Sequence, residues 1–414
     1  MQVGSQTVKW RLFWLGVVAP LAAVSVGVDG GDIFQILAVE DLELDPRAVG
    51  IALGLGTLSV PIQIWAVRIP LTNARHNLRW FLLSLGVMAI ATGLLVAFAP
   101  PGSLIAGLAL VIAILAEIAV SVLLATAWQP VISYTLTVEQ RQFINGQGRA
   151  FTGLAMMVSV ALFGQFDQTG RALFLAAVGL AAFATAAGLR ILPPPPDRPT
   201  DDSTDERQRV QTRNAKPDPG GITNLYVTMP ATALVGWPLL VTYAGLVLWP
   251  DGNLGLLGAA LAGGSIAASA LWRDPDRRLL LVIRAAAVVV AISTVGLVAI
   301  KAPIESTEAV IALLAVVAVG SAARTTMRTG VMELAHRRIT TDSSVRVMTM
   351  IDVIGSTTSQ LGLFVAGFLI AASTSATAGL DPYELWILAT TVVLLIAVAR
   401  LRSRSSDTLS NLVS

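Results

Sequence analysis

PPPPDRPTDDSTDERQRVQTRNAKPDPGG, Pro193 to Gly221, is the longest polar stretch in a chain that is otherwise oily. It mixes both charge signs with proline and glycine, a composition that cannot bury apolar surface, so it reads as a flexible linker. The chain then divides into residues 1–192, a linker at 193–222, and residues 223–414.

What flanks the linker decides the class. Of 414 residues 55% are hydrophobic and 13% charged, and the mean hydropathy is +0.73, where a soluble chain carries about a quarter charged residues. A helix needs about 20 apolar residues to cross the hydrocarbon of a bilayer. Twelve runs approach or exceed that length: 11–39, 48–68, 80–99, 103–127, 150–166, 172–192, 223–249, 253–272, 279–300, 307–327, 347–371 and 384–400. The alternating pattern of an outer-membrane barrel is absent. An all-α polytopic membrane protein of twelve helices is expected. The first run lacks a small-residue cleavage site and continues past Asp29, so it is expected to be a retained helix.

Charge distribution sets the expected orientation. With both termini cytoplasmic, 25 of the 28 basic residues fall in cytoplasmic loops and ends, leaving only Arg47, Arg171 and Lys301 outside; Lys and Arg are retained on the cytoplasmic side. The basic set holds only three Lys, a bias that with abundant Ala suggests a GC-rich bacterial genome and hence a bacterial inner membrane. The net charge of +2 follows the membrane and does not point to nucleic acid. With no cysteine, disulfides and thiolate metal sites are excluded.

A faint repeat relates the halves. EQRQFINGQGRAFTG follows run four and AHRRITTDSSVRVMTM follows run ten, with Arg141 and Arg149 matching Arg338 and Arg346 at one offset; NLRWFLL and DRRLLLV end the loops after runs two and eight. Two pseudo-symmetric six-helix bundles are expected. In topology, central linker and basic loops the chain resembles the major facilitator superfamily over nearly its full length. The family's loop pattern appears as AVRIPLTNARHNLRW, Ala66 to Trp80, without its acidic residue, and as RDPDRR, Arg273 to Arg278, which keeps Asp276, Arg277 and Arg278. The antiporter signature of its fifth helix has no counterpart in FTGLAMMVSVALFG.

The carboxylates inside apolar runs are the candidate chemistry. Asp29 and Asp32 in SVGVDGGDIFQI would share one helix face with Ser25 and Ile36. A charged Asp at mid-bilayer costs about 2.5–3.5 kcal/mol on insertion scales, so such a face should line a cavity. The other reading ends the helix at Val28, with Gly30 and Gly31 as breakers and IFQILAV as an exposed loop. Glu117 sits deep in IAILAEIAVSV, either at a site or as a buried structural carboxylate. Protonation can neutralise such groups, as proton coupling requires. Asp29, Asp32 and Glu117 are thus the candidate proton and substrate relay.

The resemblance implies that helices 1, 4, 7 and 10 line a central cavity. It would place there Trp128 and Gln129, and Trp237, Thr242 and Tyr243 of VGWPLLVTYAG, where Pro238 would kink the helix. Aromatic rings beside few polar groups suit an amphiphilic ligand, though a deep Trp is more often packing. Arg324 and Arg328 against Asp352, with Asp276 and Arg277 of the basic loops, would either form a cytoplasmic gate or stand as static interface charges that snorkel outward.

The expected function is secondary transport by alternating access, in the form of proton-coupled efflux of an amphiphilic small molecule. Uptake symport of a small metabolite is the rival, and a non-transporting scaffold or receptor is the alternative of a different class. No Walker A pattern occurs, and the two histidines, His76 and His336, stand in basic loops without metal-ligand spacing, so neither an ATP-driven pump nor an enzyme is expected. The expected partners are the lipid bilayer, protons and one small molecule, with no cofactor or metal, and the chain is expected to act as a monomer.

Overall fold

A computed structural model describes residues 32–55, 74–108, 111, 149–188, 219–235, 237–271, 278–300, 302–338, 341–374 and 380–401. Within these, every regular element is helical: α1 (Asp32–Ile36), running on as a π turn (Leu37–Asp41), then α2 (Pro46–Gly54), α3 (Ala74–Phe98), α4 (Arg149–Phe163), α5 (Gln168–Gly188), α6 (Pro219–Leu234), α7 (Leu240–Tyr243) with its own π turn (Ala244–Leu248), α8 (Leu254–Leu271), α9 (Leu279–Ala299), α10 (Thr307–Arg338), α11 (Thr341–Ser373) and α12 (Pro382–Ala399). Four of them, α5, α9, α12 and Thr307–Leu334 of α10, are by themselves long and apolar enough to cross a membrane. Leu281, Val288, Ile292 and Val295 form an exposed apolar stripe along α9. Water would penalise that stripe, whereas lipid would not, and the chain is a multi-pass membrane protein.

Three boundaries differ from the sequence reading. The seventh run is not one kinked helix: it breaks between Leu234 and Leu240, with Trp237 and Leu239 at φ of 45° and 61°. Pro238 cannot donate to the helix ladder and disfavours helical geometry at Trp237 before it. Runs ten and eleven extend into the polar segment between them, so α10 reaches Arg338 and α11 starts at Thr341. Helix α6 starts at Pro219, taking in the last residues of the polar interval.

The loops 42–45, 99–103, 164–167, 249–253, 302–306 and 380–381 gather at one end of the bundle. Here the halves meet in one continuous core, which contains Ile33, Ile36 and Leu53 from before the linker and Leu240, Leu248 and Leu313 from after it. At the opposite end Leu225, Ile283, Met327 and Leu401 belong to a second core drawn, among the described residues, from the second half alone. The first end is called the sealed face below.

Glycines let the halves approach there. A Cβ on Gly50 of α2 would lie 2.8 Å from Gly367 Cα of α11, and one on Gly164, just past α4, would lie 2.4 Å from Gly255 Cα of α8. Neither space can hold a side chain, so both contacts are backbone against backbone, as small residues permit in membranes. The α4 and α8 pair runs antiparallel, since Gly153 lies against Ile266 and Met157 against Gly263.

The halves also repeat each other in detail. Helix 1 ends with Leu42 N–H donating to Leu37 O (3.0 Å), and the seventh run ends with Trp249 N–H donating to Ala244 O (2.7 Å). The loop after α3 donates Gly102 N–H to Leu42 O (2.9 Å), and the loop after α9 donates Ile304 N–H to Leu248 O (2.7 Å).

Gly50→Val should force α2 and α11 apart. Overpacking costs about 1–3 kcal/mol, enough to cut the sealed population by about tenfold. Spin labels on the double variant Arg47→Cys and Thr374→Cys would report this as a shift from short to long distances.

Candidate functional site

The site is built where the ends of α1 and α7 cross at the sealed face. Gln35, polar in the middle of IFQILAV, is 6% exposed, and Thr242 is fully buried. Gln35 Oε1 accepts from the Thr242 amide (3.2 Å) and from its hydroxyl (3.3 Å). Thr242 is the third residue of α7, where an amide has no carbonyl one turn back to bond. A side chain of the first half therefore caps a helix of the second. One turn further, a Cβ on Gly245 would lie 3.1 Å from Val39 Cγ1, so the two π turns also pack on each other.

Each of these ends is tied to the last helix of its own half. In the first half, Arg171 near the start of α5 bonds Asp41 (Nη1 to Oδ1, 2.9 Å) and Glu40, and its Nε donates to Phe163 O (3.1 Å). The guanidinium also stands 5.6 Å from the centre of the Phe163 ring. Glu40 and Asp41 lie past Val39, the last residue of the apolar run. Burial pushes both carboxyls above the ordinary carboxylate range, and the charge and hydrogen bonds of Arg171 offset this only in part.

In the second half the same place holds a neutral donor. Tyr243 Oη donates to Asp381 Oδ2 at 2.5 Å and lies 3.4 Å from Glu384. Asp381 caps α12 in a reciprocal box with Glu384, Pro382 opening the helix. Ser373 Oγ reaches Asp381 Oδ1 at 3.0 Å. The Tyr383 ring stacks on Tyr243 with centroids 4.4 Å apart, and its hydroxyl donates to Pro238 O (3.0 Å), a carbonyl left over by the helix break.

The residues proposed from sequence separate as follows. Asp32 opens α1, and only its backbone is described; Ile33 to Ala38 behind it are helical and buried, so IFQILAV is not an exposed loop. Asp29, Glu117, Trp128, Gln129, Asp276 and Arg277 lie outside the described residues. Thr242 and Tyr243 come together with Gln35 and Asp381. Trp237 is committed to packing inside the second half in this conformation: it is 5% exposed, Nε1 donates to Thr294 (3.0 Å), and its ring fills the space beside Gly320 of α10. Its left-handed backbone aims it there. Arg324 is half-buried and Arg328 exposed on α10, while Asp352 lies on α11 with its side chain outside the described residues.

Sequence reasoning missed Gln35, Glu40, Asp41, Arg171 and Asp381. One signal was present: Arg171 was among the three basic residues that broke the loop asymmetry.

No family model matches the sequence, and no curated protein matches it. Solved structures do. A bacterial homologue of the iron transporter ferroportin, in an inward-facing state, aligns over 93% of this chain and 97% of its own with TM-score 0.62 and 14% identity. The nucleoside transporter NupG aligns over 94% and 98% with TM-score 0.63 and 9% identity. A bacterial homologue of the human lysosomal transporter Spinster, inward-facing and occupied, aligns over 94% and 96% with TM-score 0.57 and 14% identity. This is the major facilitator fold. In facilitator terms the sealed face is the end at which the two halves touch through α2 with α11 and α4 with α8.

Tyr243→Phe removes the hydroxyl donated to Asp381. Hydrogen bonds to charged groups contribute about 1.5–3 kcal/mol, so the thermal unfolding midpoint in detergent should fall measurably. Asp381→Asn should then cost less in the Tyr243→Phe background than it does in the parent.

Proposed function

We propose that the chain is a secondary transporter that works by alternating access. One observation carries this reading: among the described residues, the two halves share a continuous core at the sealed face, through glycine contacts and a single polar crossing, while the α4 and α8 contact runs on to Gly153 and Ile266. Such an interface can part as two rigid bodies, because no ion pair or disulfide among the described residues bridges the halves there. The break before α7 supports it, since discontinuous helices at the interface between repeats are where transporters of this architecture build sites. The face that closes is the one whose loops carry few basic residues, which makes it the outer face under the charge rule.

Transport is proton-coupled in this reading, and it exports an amphiphilic, cationic compound. Asp29, Asp32 and Glu117 supply carboxyls in apolar runs that can exchange charge for a proton, and the runs hold no equally deep basic partner. The domain division at 193–222 lets the halves move independently, and the protein needs neither cofactor nor ATP.

Purified protein in liposomes, with ethidium as the amphiphilic cation, tests this. Antiport should load ethidium into vesicles made acidic inside. Loading driven only by an acidic exterior would mark symport instead, and no gradient-dependent flux in either direction would discard the transporter reading. Asp32→Asn and Glu117→Gln should each abolish gradient-driven flux at normal expression.

A Gly54→Cys and Phe364→Cys pair gives an independent check on the conformational cycle. A Cβ on Gly54 would lie 2.9 Å from Phe364 Cβ, close enough for a disulfide after a small shift. Oxidation should stop flux by holding the sealed face shut, and reduction should restore it.

A further inference from the structure

The clamp between α1 and α5 holds more negative charge than its arginine offsets. Glu40 and Asp41 both bond Arg171, and the charge of Asp167, in the loop before α5, also acts on Asp41. Asp167 is exposed and has its own partner in the Gly170 amide. Helix α4 contributes the Phe163 carbonyl and ring, and its one titratable residue, Arg149, opens the helix at the far end. One oxygen of the set is left over: among the described residues Asp41 Oδ2 has no hydrogen-bond partner, and it is buried on a side chain only 5% exposed.

An ionised oxygen in that position loses its hydration and gains no hydrogen bond of its own in return, and the Arg171 charge offsets the loss only in part, whereas a neutral carboxyl loses far less. A proton on Oδ2 leaves Glu40 and Arg171 as a balanced pair. It keeps Asp41 Oδ1 as the acceptor for Arg171 Nη1. Glu40, with a side chain 27% exposed, gives the site contact with solvent at the sealed face.

We propose that Asp41, held by Glu40 and Arg171, is a proton-binding site that is loaded when the sealed face is closed. Its affinity depends on the other half through the neighbouring turn. Val39, two residues before Asp41, packs on Gly245, so parting of the halves uncovers the π turn and lets water reach the carboxyl. The hydrated carboxyl then releases its proton. Acidification accordingly favours the sealed state. As a statement about coupling this rests on the proton-coupled reading above; proton binding itself does not.

Infrared titration of the full chain in lipid nanodiscs tests it, together with distance measurements between spin labels on the Arg47→Cys and Thr374→Cys double variant. The parent should show a protonated-carboxyl band persisting above the usual aspartate range, and Asp41→Asn should lose it. Glu40→Gln removes a like charge and frees Arg171 for Asp41, so it should move proton release to lower pH, with about tenfold weaker affinity. The short-distance population should grow on acidification in the parent and stay flat in Asp41→Asn. A band unchanged by Asp41→Asn, or proton release in Glu40→Gln at the parental pH, would overturn the proposal. If Asp41→Asn does not fold, Glu40→Gln, at an exposed position, decides alone. Neither measurement uses flux, so a failed ethidium assay and a failed titration are separable results.

Discussion

Inside hydrocarbon a backbone amide or carbonyl must find its partner within the protein, and the break between α6 and α7 is where this constraint acts hardest. Unwinding at Trp237 to Leu239 frees groups that a continuous helix would have paired. Four of these groups are answered, each from a different place. Leu240 N–H turns back to Trp237 O, Tyr243 N–H to Leu239 O, Pro238 O takes the Tyr383 hydroxyl from α12, and Thr242 N–H takes Gln35 from the other half. Two left-handed residues without glycine's freedom cost about 1–3 kcal/mol each. The Trp237 anchor against Thr294 and Gly320 helps hold them. The contact between the halves is therefore not an accessory to the fold: it completes the hydrogen bonding of a helix that could not end tidily alone.

The pseudo-symmetry is close in backbone and loose in chemistry. Both halves finish their first helix with a π turn, stitch it to the loop between their third and fourth helices, and tie it to the start of their last helix. One half uses an arginine between two acids, the other a tyrosine donating to a capping aspartate. The tyrosine clamp brings a neutral hydroxyl to its two acids. The arginine clamp brings a full positive charge to its pair. A twofold frame thus carries two different chemistries.

Much of this was legible in the sequence because it depends on long-range averages. Run length, loop charge and the faint repeat gave the helical class and the expectation of two halves, and of the two readings of GVDGGD the structure overturns one part, the exposed IFQILAV loop, since Ile33 to Ala38 are helical and buried. What stayed hidden depends on single partners distant in sequence. Gln35 looks like an ordinary polar residue in an apolar run until Thr242 is beside it, and Arg171 looks like an exception to charge asymmetry until Glu40 and Asp41 are. Pro238 announced a bend, but whether a helix bends or breaks is set by whether outside groups can pair the freed backbone, here Tyr383 and Gln35. The reach of α10 and α11 past their apolar runs was masked by the polar residues between them. Such residues favour helix as readily as loop when neighbouring turns are already wound.

That reach gives α11 a mechanical character. Its tight contact with α2, at Gly367, lies near one end, and Thr341 is 26 residues away at the other, about 39 Å along the axis at helical rise. A rod pinned so far off-centre multiplies angle into travel: pivoting by about 15° carries the distant tip through about 10 Å, while the glycines at the fulcrum barely slide. Small side chains where the backbones touch, and a stiff shaft beyond them, are what a lever requires.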